Sequence, residues 1–104
     1  SKYFPPAKII SLRNDIMYFK LLDHEHDAQA WERMKLMIRN CPSHGLNLWM
    51  IIHNFYARLN FASRNLLDSS AGGNFGEITL GEAAKLLDNI MVNYSQWHTE
   101  RSTN

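Results

Sequence analysis

The sequence lacks the features of secreted and membrane-spanning chains. It contains one cysteine in 104 residues, so no disulfide can form within the chain, which fits a reducing compartment. No run approaches the roughly 18 apolar residues of a membrane span, and the N-terminus has no signal-peptide layout. No low-complexity tract or internal repeat is present. We therefore expect an intracellular protein of the cytoplasm or the nucleus, without a membrane partner.

The sequence also lacks an excess of positive or negative charge. The formal net charge is +1, from 11 basic and 10 acidic residues, and no run of like charge suggests a nucleic-acid tail or a membrane-surface helix. Apolar residues make up 45% of the chain and charged residues 20%, which is typical of a folded domain. A chain of this length can bury about two thirds of its unfolded surface. Residues 1–104 are therefore predicted to form one domain, and the start at Ser1 suggests a piece of a longer protein.

Apolar residues recur at steps of three and four through most of the chain, and no segment alternates as a strand does. Helices are predicted over residues 6–20, 27–40, 47–59, 61–71 and 80–96, with a polar tail at 98–104. Their predicted caps are Asp27, Asn47, Asn60 and the Thr79–Glu82 capping box. Phe75, in the loose connection before the last helix, is expected to enter the core. The fold prediction is all-α, a compact five-helix bundle.

The helix predicted at 47–59 has two apolar faces. At about 100° per residue, one face is expected to enter the core: Leu48, Ile52, Phe55 and Leu59. The other lies roughly 80 to 200° around the helix: Trp49, Met50, His53, Tyr56 and Ala57. This second face either completes a small core or contacts a partner. Because Trp, Tyr and Met are enriched at interface centres, we favour a protein–protein interface.

Metal-ligating and nucleophilic residue types occur without the spacing that their chemistry requires. His24 and His26 lie two apart in a predicted loop, and Cys41 with His44 resembles half of a zinc knuckle that has no second cysteine. A Cys41–His44 or Cys41–His53 nucleophile pair has no evident oxyanion site, and a buried structural cysteine is the more typical role. We expect no catalytic residue, no metal and no cofactor.

Three cations share the helix predicted at 27–40. Arg33, Lys35 and Arg39 could contact phosphate, but Glu32 lies among them and no second basic stripe accompanies them. We therefore expect RNA binding to be weak, or to belong to other parts of the parent protein.

Several segments, taken in chain order, resemble one protein family: FPPAKIISLRNDI, AWERMKLMIRNCPSHGL, NFYARLN, DSSAGG, GEAAKLLDNI and NYSQW. Through them the chain resembles the Gag capsid region of plant gypsy-type LTR retrotransposons. The resemblance implies an α-helical domain similar to the C-terminal capsid domain of retroviruses, whose role is Gag self-association into virus-like particles of a transposable element. The implied partner is a second copy, in a homodimer, in higher oligomers or in a domain-swapped dimer that exchanges the first helix across residues 21–26.

The resemblance also implies a structural network around the family's major homology region. The implied positions are Glu25, Arg33, Met34 and Ile38, with Trp31 near the family's aromatic position. In relatives the acid and the arginine join a buried hydrogen-bond network that fixes a loop onto the following helix. A buried pair of this kind is tolerated only when both partners are present.

The chain departs from the family pattern at several of these positions. Leu21 and Leu22 stand where relatives have glutamine and glycine, and Ala30 stands at the aromatic position, so we expect a smaller polar network. The next helix forms the two-fold contact in relatives, and its counterpart here carries Trp49 and Met50. The resemblance and the helical wheel thus favour the same face. The alternative function is a capsid-derived helical adaptor that binds a host protein or peptide in an apolar groove.

Overall fold

Five α-helices, α1 to α5, form the fold in this computed structural model, which describes the backbone of residues 3–102 and the side chains of residues 3–91. The helices are α1 Pro6–Met17, α2 Asp27–Asn40, α3 Leu48–Arg58, α4 Phe61–Ser70 and α5 Leu80–Ser102, with a 3₁₀ turn at Phe75–Glu77. Residues 3–102 contain no strand, which confirms the predicted all-α fold of five helices. Within that range, each helix is too short or too polar to cross a membrane.

Side-chain caps begin three of the helices where the sequence predicts them. The Asn47 carboxamide oxygen accepts from two backbone amides in the first turn of α3, and Asn60 accepts from the Ser63 amide of α4. Before α5, the Glu82 carboxylate accepts from the Thr79 amide at 3.0 Å, and the Thr79 hydroxyl accepts from the Glu82 amide at 3.2 Å. These bonds satisfy amides that the helix leaves without partners.

The predicted cap at Asp27 is wrong. Asp27 is the first residue of α2, and His26 occupies the cap position, where its backbone amide donates to the Gln29 side chain at 2.9 Å. The Asp27 carboxylate is buried and accepts a hydrogen bond from the Ser63 hydroxyl of α4. Because this acid bonds another helix, it joins α2 to α4.

Two helix ends differ from the sequence prediction. Helix α1 ends at Met17 rather than at residue 20, and the chain then turns so that the Phe19 side chain enters the core. Helix α5 continues to Ser102, so residues 98–102 of the predicted polar tail are helical, and residues 103–104 lie outside the described part of the chain.

The core lies where α2 packs on α1 and α5, and where α3 and α4 pack on α5. Phe55 of α3 is fully buried between Trp31 and Phe19, with ring centroids 5.2 Å and 5.8 Å away. Ile52 and Leu59 of the predicted core face are buried, and so is Phe75. The prediction for Leu48 is wrong: Leu48, the first residue of α3, is 42% exposed. Ile51, which was not predicted, is buried on the same side of the helix.

Candidate functional site

One face of α3 exposes large apolar side chains to solvent. Trp49 and Met50, in the first turn of the helix, are 45% and 57% exposed. Ala57, two turns further along, is also exposed, whereas His53 and Tyr56 are half-buried. These five residues are the second apolar face predicted from the sequence, and we call them the α3 face. Trp49 and Met50 therefore do not complete the core of the single chain.

Contacting aromatic rings form the centre of the α3 face. The Trp49 and His53 rings have centroids 3.8 Å apart and an interplanar angle of 31°. His53 in turn lies 5.5 Å from Phe75, and Tyr56 stacks on Phe75 at 4.8 Å. Since Phe75 is completely buried, the outer rings rest on a fixed support. Rings held in this way lose little further conformational freedom when a partner binds.

The Tyr56 hydroxyl is bonded within the chain. It donates to the Asp68 carboxylate of α4, with distances of 2.9 Å and 2.8 Å to the two oxygens, and Asp68 also accepts from the Phe75 amide at 3.0 Å. Burial raises the pKa of Tyr56, and the Asp68 carboxylate raises it further. Tyr56 therefore supports the α3 face mainly through its ring. Asp68 was missed from the sequence, where nothing marks it as a partner of Tyr56.

His53 is the titratable group of the α3 face. Its ring lies between Trp49 and Phe75, and burial lowers the pKa of His53 below its ordinary value of 6.5. The neutral imidazole is therefore the favoured form near pH 7. A neutral histidine packed between two aromatic rings is compatible with an apolar contact surface.

The structure brings Glu25 and Arg33 together in a two-point ion pair. Arg33 Nε donates to Glu25 Oε2 at 2.8 Å, and Arg33 Nη2 donates to Glu25 Oε1 at 2.9 Å. The hydrogen bond from Arg33 lowers the pKa of Glu25, and the reciprocal bond raises the pKa of Arg33. Two parallel charge-assisted bonds fix both side chains in one geometry.

The same arginine fixes the connection between α1 and α2. Its Nη2 also donates to the Lys20 carbonyl at 2.7 Å, and its guanidinium lies 4.3 Å from the centre of the Phe19 ring. Glu25 closes a tight turn, since its carboxylate accepts from the Leu22 amide and its own amide donates to the Leu22 carbonyl. Arg33 and Glu25 thus hold residues 19–25 against α2.

The remaining implied network positions pack without joining this ion pair. Trp31 and Met34 are buried, and Ile38 is half-buried against the core. The Trp31 indole nitrogen donates to Asp88 of α5 at 2.8 Å, and Lys35 Nζ lies 2.8 Å from the same carboxylate oxygen. Trp31 therefore links α2 to α5 instead of the loop at residues 19–25.

The candidate nucleophile and metal ligands lie in structural positions. Cys41 is 2% exposed, and the buried His44 uses Nδ1 to accept from the Leu46 amide at 2.8 Å. Gly45 ends this turn at a φ of +70°, which glycine adopts readily. Among the side chains of residues 3–91, no three His, Cys, Asp or Glu groups lie close enough together to hold a metal ion.

The three cations predicted to share α2 have different surroundings. Arg33 pairs with Glu25, and Lys35 pairs with Glu32 and Asp88. Arg39 is exposed, and within the described side chains it forms no ion pair. A shared phosphate-binding stripe on α2 is therefore not formed.

Comparisons of the chain with protein-family models, with curated proteins and with solved structures found no match. The functional proposals therefore rest on the residues of this chain, their geometry and the resemblance stated from the sequence.

Proposed function

We propose that the chain is a non-enzymatic self-association domain that forms a homodimer through the α3 face. One observation carries the proposal: Trp49 and Met50 are exposed beside a row of contacting aromatic rings that ends on the buried Phe75. Tryptophan and methionine are enriched at interface centres, and clustered exposed apolar residues mark contact sites more often than scattered ones.

A two-fold dimer suits the shape of the α3 face. In a two-fold contact the same surface is used by both copies, so one apolar helix face is sufficient. Trp49 and Met50 lie in the first turn of the helix, and the small Ala57 lies at its other end. In an antiparallel packing, the large side chains of one copy would lie over the small residue of the other. Such complementary packing is what brings helix axes within about 8–10 Å.

The contacts of Arg33 bear on the form of the dimer. A domain-swapped dimer requires residues 21–26 to open so that α1 can pack on a second copy. Arg33 binds the Lys20 carbonyl, just before that segment, and the Glu25 carboxylate within it. A face-to-face dimer leaves these contacts in place, so it is favoured over exchange of α1.

The sequence resemblance supports a biological role for this association. In a retrotransposon-type Gag protein, the dimer would be one contact of a capsid-like particle, and weaker surfaces would complete the assembly. RNA binding, where the parent protein has it, is assigned to other parts of that protein.

Sedimentation velocity of the 104-residue chain tests the proposal directly. The protein should be measured over a wide concentration range at low and high salt. A reversible dimer that persists at high salt is expected, because apolar contacts are not screened as exposed ion pairs are. A strict monomer at every concentration would contradict the proposed dimer.

A further inference from the structure

An open groove lies between α1 and the C-terminal end of α2, away from the α3 face. Its volume is about 660 Å³, and its lining runs from Tyr3 to Leu12 on one side and from Arg39 to Ser43 on the other. Sites for small ligands and peptide side chains commonly have about 300–1,000 Å³. No residue of α3 lines this groove, so its occupant would not compete with the proposed dimer.

Part of the groove lining is apolar. Ile9 and Leu12, both half-buried against the core, supply aliphatic surface, and the buried Cys41 after α2 also lines the groove. Phe4, also half-buried, contributes an aromatic edge. An apolar side chain placed here would cover surface that the chain itself leaves open to water, which is favourable by the hydrophobic effect.

The charged side chains of the groove are all of one sign. Lys8 of α1 and Arg39 of α2 are its charged lining residues, and both are exposed. Neither has an ion pair among the described side chains, whereas Arg33 and Lys35 on the same helix α2 are both paired. Each helix that forms the groove thus offers one cation to a ligand.

We propose that this groove binds an acidic, amphipathic peptide segment of another protein. One or two leucine or phenylalanine side chains of the segment contact the exposed parts of Phe4, Ile9 and Leu12. Neighbouring aspartate or glutamate side chains pair with Lys8 and Arg39. The apolar contacts supply most of the affinity, and the two ion pairs select acidic over basic segments.

The lining favours a peptide over single-stranded nucleic acid. A nucleic-acid strand needs a continuous basic path for successive phosphates, together with open ring faces for base stacking. The groove offers two separate cations, Lys8 and Arg39, and no continuous basic path. A lining that combines apolar side chains with two cations fits apolar side chains flanked by carboxylates.

The binding test uses three labelled peptides and one RNA. The probe is Ac-EDLFDELLDE-amide, one control peptide has every acid replaced by lysine, and another has every leucine and phenylalanine replaced by serine. The RNA control is an oligouridylate of similar length. Fluorescence anisotropy should show saturable binding of the probe alone, and NMR should place the shifted amides at residues 8–12, 39–41 and 43. Failure of the probe to bind, or tighter binding of the RNA at these amides, would overturn the proposal.

Charge-reversal variants test the site itself. Lys8→Glu with Arg39→Glu should weaken probe binding about fivefold or more, since attraction becomes repulsion at both positions. Arg13→Glu with Lys85→Glu makes the same change in net charge at exposed residues outside the groove, and it should leave binding unchanged. Equal losses in the two double variants would overturn the site. Lys8→Ala with Arg39→Ala provides a milder second variant if the reversal alters the circular dichroism spectrum.

Discussion

The ring of Tyr56 lies parallel to the ring of Phe75, with centroids 4.8 Å apart and planes 6° from parallel. Both residues also bond to Asp68, Tyr56 through its hydroxyl and Phe75 through its backbone amide. Asp68 therefore fixes the two stacked residues relative to α4. The α3 face is held from behind by this arrangement, so its exposed residues are presented on a rigid surface.

Tyr56→Phe should destabilise the domain while leaving its association unchanged. The substitution keeps the stacked ring and removes the hydroxyl that donates to Asp68. Loss of a hydrogen bond to a charged acceptor costs about 1 to 3 kcal/mol, and the half-buried position favours the lower part of that range. Urea denaturation followed by circular dichroism measures the free energy of unfolding.

Tyr18→Phe is the matched control for this change. Tyr18 is 67% exposed, and no hydrogen bond of its hydroxyl is found among the described residues. The free energy of unfolding of the Tyr18→Phe variant should differ from that of the wild type by less than about 0.5 kcal/mol. Equal stabilities of the Tyr56→Phe variant and the wild type would show that the bond to Asp68 contributes nothing.

Local sequence signals predicted much of the fold. Asn47 and Asn60 cap their helices as expected, because a cap depends on a side chain and amides two or three residues away. The core face of α3 followed from its helical period, which placed Ile52 and Phe55 correctly. Signals of this kind need no knowledge of the rest of the chain.

The errors arise from contacts between distant segments. Asp27 has the residue type of a cap, but Ser63 of α4 provides a partner that sequence spacing does not reveal. Leu48 has the correct angle for the core, but it is the first residue of α3 and is 42% exposed, which a helical wheel cannot distinguish from a buried position. The partnership of Tyr56 with Asp68 and the groove beside Arg39 likewise depend on how the helices pack, which a helical wheel does not contain.

Trp49→Ala with Met50→Ala should shift the proposed dimer to monomer without unfolding the domain. Both side chains are about half exposed in the single chain, so their truncation leaves the core intact. Loss of central interface residues should weaken the dimer by about 30-fold or more, which corresponds to about 2 kcal/mol. Sedimentation velocity gives the dissociation constant, and circular dichroism gives the helical content.

Leu22→Ala with Leu36→Ala is the control for that double variant. These leucines are 59% and 50% exposed and lie outside α3. Their truncation removes exposed apolar surface elsewhere and should leave the dimer constant unchanged. If the Trp49 and Met50 variant instead lost helical content, these residues would belong to the core and the interface would be misplaced.

Glu25→Gln should reduce the free energy of unfolding near pH 7. It should also make the free energy of unfolding less dependent on pH in the acidic range. The hydrogen bond from Arg33 lowers the pKa of Glu25 below its ordinary value of 4.5, so the native pair stabilises the fold above that pH. This contribution is lost as the pH falls through the pKa that Glu25 has in the folded protein. The expected cost at neutral pH is about 1 to 2 kcal/mol, because Arg33 is partly open to solvent. Urea titrations from about pH 3 to 7 measure both effects.

Glu32→Gln removes a carboxylate with a weaker role. The Glu32 side chain is 64% exposed and pairs with Lys35 on the same helix. Its loss should change the free energy of unfolding by less than about 0.5 kcal/mol at neutral pH. Equal losses of stability in the Glu25→Gln and Glu32→Gln variants would show that the two-point pair with Arg33 has no special effect.

Association through the α3 face should weaken on acidification because His53 lies between Trp49 and Phe75. Burial lowers the pKa of His53 below its ordinary value of 6.5, so the folded protein favours the neutral imidazole. The stability that the neutral imidazole contributes at higher pH is lost as the pH falls through the pKa that His53 has in the folded protein. A protonated ring would also place a charge in an apolar contact with the second copy. The dimer should therefore be weaker at about pH 5.5 than at about pH 8, and His53→Gln should remove the difference. Identical sedimentation of the wild type at both pH values would exclude His53 from the contact.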